Sequence, residues 1–197
     1  MLALTPNYTY NQANQLRLFQ RGTGYTYQYK YNGDGLRTSK TTPNGTIQFT
    51  WSGDLLIQDG TASYVYGPGG QVLEQVRADG TVYYYHADQL GSVRKLTDSS
   101  GTVQNSDTYD PYGSVRASSG SVTNPFQYAG EYQDAESGLL YLRARYYDPS
   151  TAQFLTVDPL LAVTGQAYNY VVGSPLNGRD PSGMCDTPPS VMRRAGL

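Results

Sequence analysis

The 197-residue chain has one cysteine, Cys185, and one histidine, His86. A single cysteine excludes an internal disulfide framework and a cysteine-based zinc site. A single histidine confines any His-ligated metal or Ser-His-Asp triad to His86, and no Gly-x-Ser-x-Gly motif accompanies it. No run of eighteen apolar residues occurs, so no transmembrane helix is expected. Residues 1–20 have neither a basic n-region nor a continuous apolar h-region, so no ordinary signal peptide is expected. Basic residues are few. The formal net charge is -2 and the isoelectric point is near 5.3. Apart from Arg193-Arg194 there is no basic cluster, which argues against nucleic acid as a partner. The strong helix formers are sparse, which argues against a helical bundle.

What the chain does have is 20 tyrosines and 22 glycines. A chain rich in Tyr, Val and Thr, broken by Gly, Asn and Asp, reads as all-β. A unit recurs: an aromatic residue, a small or polar residue, a Gly-containing turn, then Leu or Val. Its anchors are Tyr10, Tyr31, Trp51, Tyr66, Tyr85 and Tyr109, spaced roughly twenty residues apart, which is the mark of a repeat architecture. Such a period fits one β-hairpin per repeat. Asn32-Gly33, Asp34-Gly35, Asn44-Gly45, Asp59-Gly60, Asp79-Gly80 and Ser100-Gly101 are expected to supply turns with positive φ. In Tyr25-Thr26-Tyr27-Gln28-Tyr29-Lys30-Tyr31 alternation places a tyrosine ladder on one strand face and Thr, Gln and Lys on the other. One hairpin cannot bury that face, so the hairpins are expected to join into a long curling sheet. Residues 116–127 read as a Ser/Gly/Asn-rich loop.

The last third differs in kind. Leu139 to Tyr147 alternates as a strand with Tyr141, Arg143, Arg145 and Tyr147 on one face. Residues 160–172 fit a short helix or a strand equally well. Asp-Pro recurs at Asp148-Pro149, Asp158-Pro159 and Asp180-Pro181. Asp-Pro commonly starts a turn. Two carboxylates placed together can also run peptide hydrolysis, because they push each other's proton affinities apart and supply one ionised and one protonated group. Spacing leaves both readings of Asp158 and Asp180 open.

Residues 84–94 (Tyr84-Tyr85-His86-Ala87-Asp88-Gln89-Leu90-Gly91-Ser92-Val93-Arg94) resemble the opening of the RHS repeat-associated core domain. So do Tyr109-Asp110-Pro111-Tyr112-Gly113, Phe126 to Gly130, Glu136 to Pro149, Phe154 to Pro159 and Asp180-Pro181-Ser182-Gly183-Met184. The upstream units resemble the tyrosine-aspartate (YD) repeats of the same family, which includes bacterial polymorphic toxins, C components of insecticidal toxin complexes and, more distantly, teneurins. The resemblance implies an all-β fold in which repeated hairpins form a curled sheet, part of a β-spiral shell, with an irregular C-terminal core region. It implies YD-type repeats over 1–82, the core domain over 83–184 and a flexible tail, the remnant of a variable region, over 185–197. It also implies a single-turnover aspartyl autoprotease acting in cis. Asp158 and Asp180 would be its dyad and Arg145 its functional arginine, with Arg143 as the competitor for that role. Gly183, after Pro181, would let the backbone approach the dyad, and the cut would fall between Met184 and Cys185. The family's usual leucine is methionine here, which an apolar pocket accepts. No cofactor or metal is implied. The implied partners are the chain's own C-terminal segment and the rest of a shell or secretion apparatus, in a secreted or cell-surface setting.

In this light His86 reads as a structural strand residue and Cys185 as a free thiol. The thirteen residues 185–197 are too few for a toxin domain, so the expectation is a truncated effector, a relic or a cassette fragment. The alternative class is a non-catalytic interaction module whose exposed tyrosine faces stack on carbohydrate.

Overall fold

The computed structural model describes residues 5–184, so Cys185 and Arg193-Arg194 lie outside the described residues. The chain is nearly all antiparallel β and forms two compact units that divide between Ser63 and Tyr64. In the first, β1 (Pro6–Tyr10), β2 (Leu16–Arg21), β3 (Thr26–Tyr31), β4 (Arg37–Thr42) and β5 (Gly45–Gln48) lie side by side in chain order. β6 (Thr50–Ser52) pairs with β7 (Leu55–Gln58). Register follows the apolar pattern: Phe19 faces Tyr8 across β1 and Tyr27 across β3. Its ring centroid lies 5.5 Å from the first and 6.0 Å from the second. Within β3 the expected alternation holds, with Tyr29 buried between exposed Gln28 and Lys30. The buried Arg37 guanidinium lies 4.4 Å from the Phe49 ring centroid, so an aromatic face takes up part of its charge.

The division falls within β8 (Ala62–Tyr66). In the second unit β9 (Val72–Arg77), β10 (Val82–Ala87), β11 (Val93–Thr97), β12 (Val103–Tyr109) and β13 (Val115–Gly120) form a meander. Phe126 is the aromatic hub of this unit. Tyr64, Tyr85 and Tyr132 meet it edge-on at centroid distances of 4.8, 6.1 and 5.9 Å. The expected loop over 116–127 is partly a strand, because β13 runs to Gly120. Its serines satisfy themselves on β12, with Ser118 Oγ donating to Asp107 Oδ1 at 2.6 Å.

One loop recurs between strands. A residue at position i donates its backbone N–H to the carbonyl of i+4 and accepts the N–H of i+3. This holds for Asn32, Gly67, Arg77, Asp88, Asp98 and Asp110. Where i is Asn or Asp, its side-chain oxygen also takes the N–H groups of i+2 and i+4: Asn32 holds Asp34 and Leu36, Asp88 holds Leu90 and Ser92, and Asp110 holds Tyr112 and Ser114. The backbone turns left-handed at i+3, with φ of 83° at Gly35, 87° at Gly91 and 95° at Gly113. The expected Asn32-Gly33 turn is therefore corrected. Positive φ belongs to Gly35, and Asn32 acts through its side chain.

The C-terminal sheet holds β14 (Tyr132–Gln133), β15 (Leu140–Leu142), β16 (Arg145–Asp148) and β17 (Gln153–Phe154), paired in that order. The single strand expected over Leu139 to Tyr147 is thus a hairpin, turned at Arg143, where φ is 57°. Leu140 pairs with Tyr147, Tyr141 with Tyr146 and Leu142 with Arg145. Directly opposed residues share a face, so Arg145 stands with Leu140, Leu142 and Tyr147 rather than with Arg143 and Tyr141. Residues 160–172 resolve into a one-turn helix, α1 (Leu161–Thr164), an extended stretch and the start of a 3-10 turn, Val171–Gly173. Tyr128, Leu140, Leu142, Tyr147, Phe154 and Tyr170 form the apolar cluster beneath.

Phe126→Ala should lower stability by about 3–5 kcal/mol, because it leaves a cavity among Tyr64, Tyr66, Tyr85 and Tyr132. Urea unfolding followed by tyrosine fluorescence would show the midpoint move. An unchanged midpoint would mean that the hub carries no weight.

Candidate functional site

Arg145 opens β16 and its side chain is almost fully buried. Its guanidinium carbon lies 3.6 Å from the Phe154 ring centroid. One of its terminal nitrogens, Nη2, reaches both carboxylates, Asp158 Oδ2 at 3.4 Å and Asp180 Oδ2 at 3.5 Å. Both aspartates are buried as well. Ionisable groups withdrawn from water in this way persist only when partners compensate them. The structure therefore brings Arg145, Asp158 and Asp180 into one cluster.

The two aspartates divide their oxygens alike. Asp158 Oδ1 accepts the Leu160 N–H at 2.7 Å, as Asp148 Oδ1 accepts that of Ser150 at 2.8 Å. Asp180 Oδ1 accepts the Ser182 hydroxyl and the Met184 N–H, each at 3.1 Å. In both residues Oδ1 shapes the Asp-Pro turn and Oδ2 faces the arginine. The turn reading and the cluster reading thus describe different atoms of the same side chain.

The chain from 180 to 184 is pressed against the β15–β16 hairpin. The Ala144 N–H donates to the Ser182 carbonyl at 3.1 Å, and Arg145 Nε donates to the Gly183 carbonyl. At Gly183 φ is 72°, and a Cβ would lie 2.5 Å from the Leu142 carbonyl oxygen and 2.9 Å from the Arg145 nitrogen. Glycine is required there on both counts. Pro181 contributes its carbonyl, which accepts from Arg143 Nη1. A cavity of about 90 Å³, large enough for water, is lined by Arg145, Asp158, Thr164, Asn169, Asp180 and Met184, among others.

Residues 58–170 of this chain match the family described as Teneurin YD-shell. The chain belongs to the RHS/YD-shell family. Among its relatives, the tRNA3(Ser)-specific nuclease WapA of Bacillus spizizenii is 34% identical over 171 residues, 79% of this chain and 7% of that protein. The Double-stranded DNA deaminase toxin A of Burkholderia cenocepacia is 29% identical, over 71% of this chain and 12% of that one. The RHS/YD-shell chain thus spans about a tenth of the length of these curated relatives. The solved Photorhabdus luminescens Tc holotoxin pore is 24% identical with a TM-score of 0.76, over 92% of this chain and 10% of that one. A crystal structure of TcdB2-TccC3 without its hypervariable C-terminal region gives 24% and 0.74, over 91% and 10%. These two likenesses show a shared fold.

The other residues singled out in the sequence lie elsewhere in the RHS/YD-shell chain. His86 is exposed on β10, its Nε2 2.9 Å from the Thr97 hydroxyl on β11. Cys185 is beyond the described residues. No helix among the described residues is long and apolar enough to cross a membrane, which says nothing of a β-barrel. Sequence reasoning missed Phe154 beneath Arg145, Thr164, whose hydroxyl donates to Asp158 Oδ2 at 3.3 Å, and Glu131. Phe154 lies inside a matched motif and was open to notice. Thr164 and Glu131 carry no local pattern, since only tertiary folding brings them in.

Glu131 pairs with Arg143 at 3.1 Å with its side chain 8% exposed. Burial pushes its carboxyl up to about 7, outweighing the opposing attraction of Arg143 and Arg179. A value raised on folding contributes stability that is fully present below the unfolded value near 4.5 and is lost as pH rises through about 7. Chemical denaturation across this window should show stability falling by about 3 kcal/mol at most, and Glu131→Gln should flatten that slope. Equal slopes in both proteins would assign it to other groups.

Proposed function

We propose that the chain is the closing part of a polymorphic-toxin shell and cuts its own backbone once, between Met184 and Cys185. The observation that carries this reading is the cavity that Met184 shares with Arg145, Asp158 and Asp180. The names of the relatives support the toxin setting: one is a tRNA nuclease, one a DNA deaminase toxin, and another is the Toxin protein Tse5 of Pseudomonas aeruginosa, 26% identical over 85% of this chain and 16% of that one. In such a protein the shell's partner is its own following segment.

The chemistry needs one ionised carboxylate and one carboxylic acid. The ionised member takes a proton from water as the water oxygen adds to the Met184 carbonyl carbon. The acid hydrogen-bonds to the carbonyl oxygen and then supplies the proton that the Cys185 nitrogen gains as the C–N bond breaks. The products are a Met184 carboxylate and a Cys185 amine. Titration belongs to the Asp158–Asp180 pair, so neither role is tied to one residue. Arg145 steadies the negative charge of the pair and of the tetrahedral oxyanion. It also holds the Gly183 carbonyl, one residue before the reacting carbonyl.

Intact-mass spectrometry of the purified chain tests this directly. The expected product ends at Met184, and Asp158→Asn or Asp180→Asn should abolish it. Because Asp-Pro bonds are acid-labile, the cut must map to Met184–Cys185. An undivided 197-residue mass after long incubation across a range of pH overturns the reading. Gly183→Ala should slow the cut by roughly a hundredfold, since displacing the loop by an ångström removes the near-attack geometry. A cleavage rate equal to wild type would show that close approach at Gly183 is dispensable.

A further inference from the structure

The two arginines of Arg143-Ala144-Arg145 point to different tasks. Arg145 meets the aspartates. Arg143 instead sends Nη1 to both Glu131 Oε2 and the Pro181 carbonyl, so one nitrogen ties the buried carboxylate to the loop that carries Asp180, Gly183 and Met184. Two further features mark this contact. Arg143 sits at φ 57°, a left-handed conformation that a residue with a side chain rarely adopts. Glu131 directly follows a 3-10 turn, Tyr128–Gly130, and its carbonyl accepts the Gln127 N–H at 3.0 Å, so the acid is fixed to rigid backbone. A turn that needed only its shape would be better served by glycine. Arginine there exchanges backbone ease for a contact 38 residues away.

We infer that Glu131 and Arg143 form a clamp that positions the 180–184 loop for cleavage, Arg143 gripping the Pro181 carbonyl and Glu131 holding Arg143. Both are positioning residues, since neither touches the bond to be cut. As a statement about catalysis, this rests on the autoproteolytic reading above. As a statement about the loop, it stands without it.

Arg143→Gly separates the clamp from a merely structural turn, because it deletes the side chain while relieving the backbone. Cleavage should slow by roughly tenfold or more. Arg143→Lys should recover part of the rate, since an ammonium can reach one of the two partners. Glu131→Leu should slow cleavage too. The double variant Glu131→Leu, Arg143→Gly should be no slower than Arg143→Gly alone, because the two act as one unit. The second measurement is hydrogen exchange in the uncut Asp158→Asn background. There Arg143→Gly should speed exchange of the Ala144 and Met184 amides, which bond to Ser182 and Asp180, by roughly tenfold. If the wild-type chain never cuts itself, the autoproteolytic reading fails and exchange alone decides the clamp. If Arg143→Gly leaves exchange and any cleavage at wild-type levels, the clamp is overturned.

Discussion

The C-terminal region depends on one buried charge. Arg145 opens a short strand, away from water and over the Phe154 ring. A guanidinium in that position must be compensated. The compensation comes from Asp158 and Asp180, each on an irregular stretch with almost no strand ladder to hold it. The region after β17 is thereby drawn onto the hairpin by electrostatics together with side-chain and scattered backbone hydrogen bonds, over the tyrosine cluster of Tyr128, Tyr147 and Tyr170. Removing Arg145 would take from two buried aspartates the cation that both contact, which costs more than the lost contacts suggest.

Upstream, the constraint is the backbone at each chain reversal. A meander of short strands reverses often, and each reversal leaves N–H groups that the ladder does not pair. The recurrent loop solves this locally: an Asn or Asp at its start takes two of them, and glycine three residues on takes the left-handed angle. This also explains why the sequence can be rich in Gly, Asp and Asn and still fold almost wholly into short strands and the turns that join them.

The repeat and the all-β fold were legible because both depend on local signals, namely alternation and turn chemistry. Turn placement was largely legible: positive φ falls as expected at Gly35, Gly45, Gly60, Gly80 and Gly101, and Gly33 is the departure. The eye catches Asn32-Gly33, whereas the physics joins Asn32 to Gly35 through a side chain. The Ser-rich β13 was hidden because its strand character comes from pairing with β12, not from its own propensity. The β15–β16 hairpin was hidden because an arginine stands at its left-handed turn, where glycine would have announced it. At the site, Asp158, Asp180 and Arg145 were legible as an ordered set of motifs. Glu131 and Thr164 were not, since each enters through tertiary contact alone.

The same hairpin explains why the two neighbouring arginines differ. Had Leu139 to Tyr147 been one extended strand, Arg143 and Arg145 would share a face and compete for the same carboxylates. The turn at Arg143 breaks the alternation, and the pairing of Arg145 with Leu142 sends its side chain into the apolar cluster beside Phe154. Arg143, left at the turn, faces Glu131 and the Pro181 carbonyl. The segment 180–184 is then gripped at successive carbonyls: Pro181 by Arg143, Ser182 by the Ala144 amide and Gly183 by Arg145. Three consecutive residues of one turn hold three consecutive residues of the loop. A segment held through its backbone in this way can change its side chains freely, so a methionine at 184 in place of leucine is compatible with the grip.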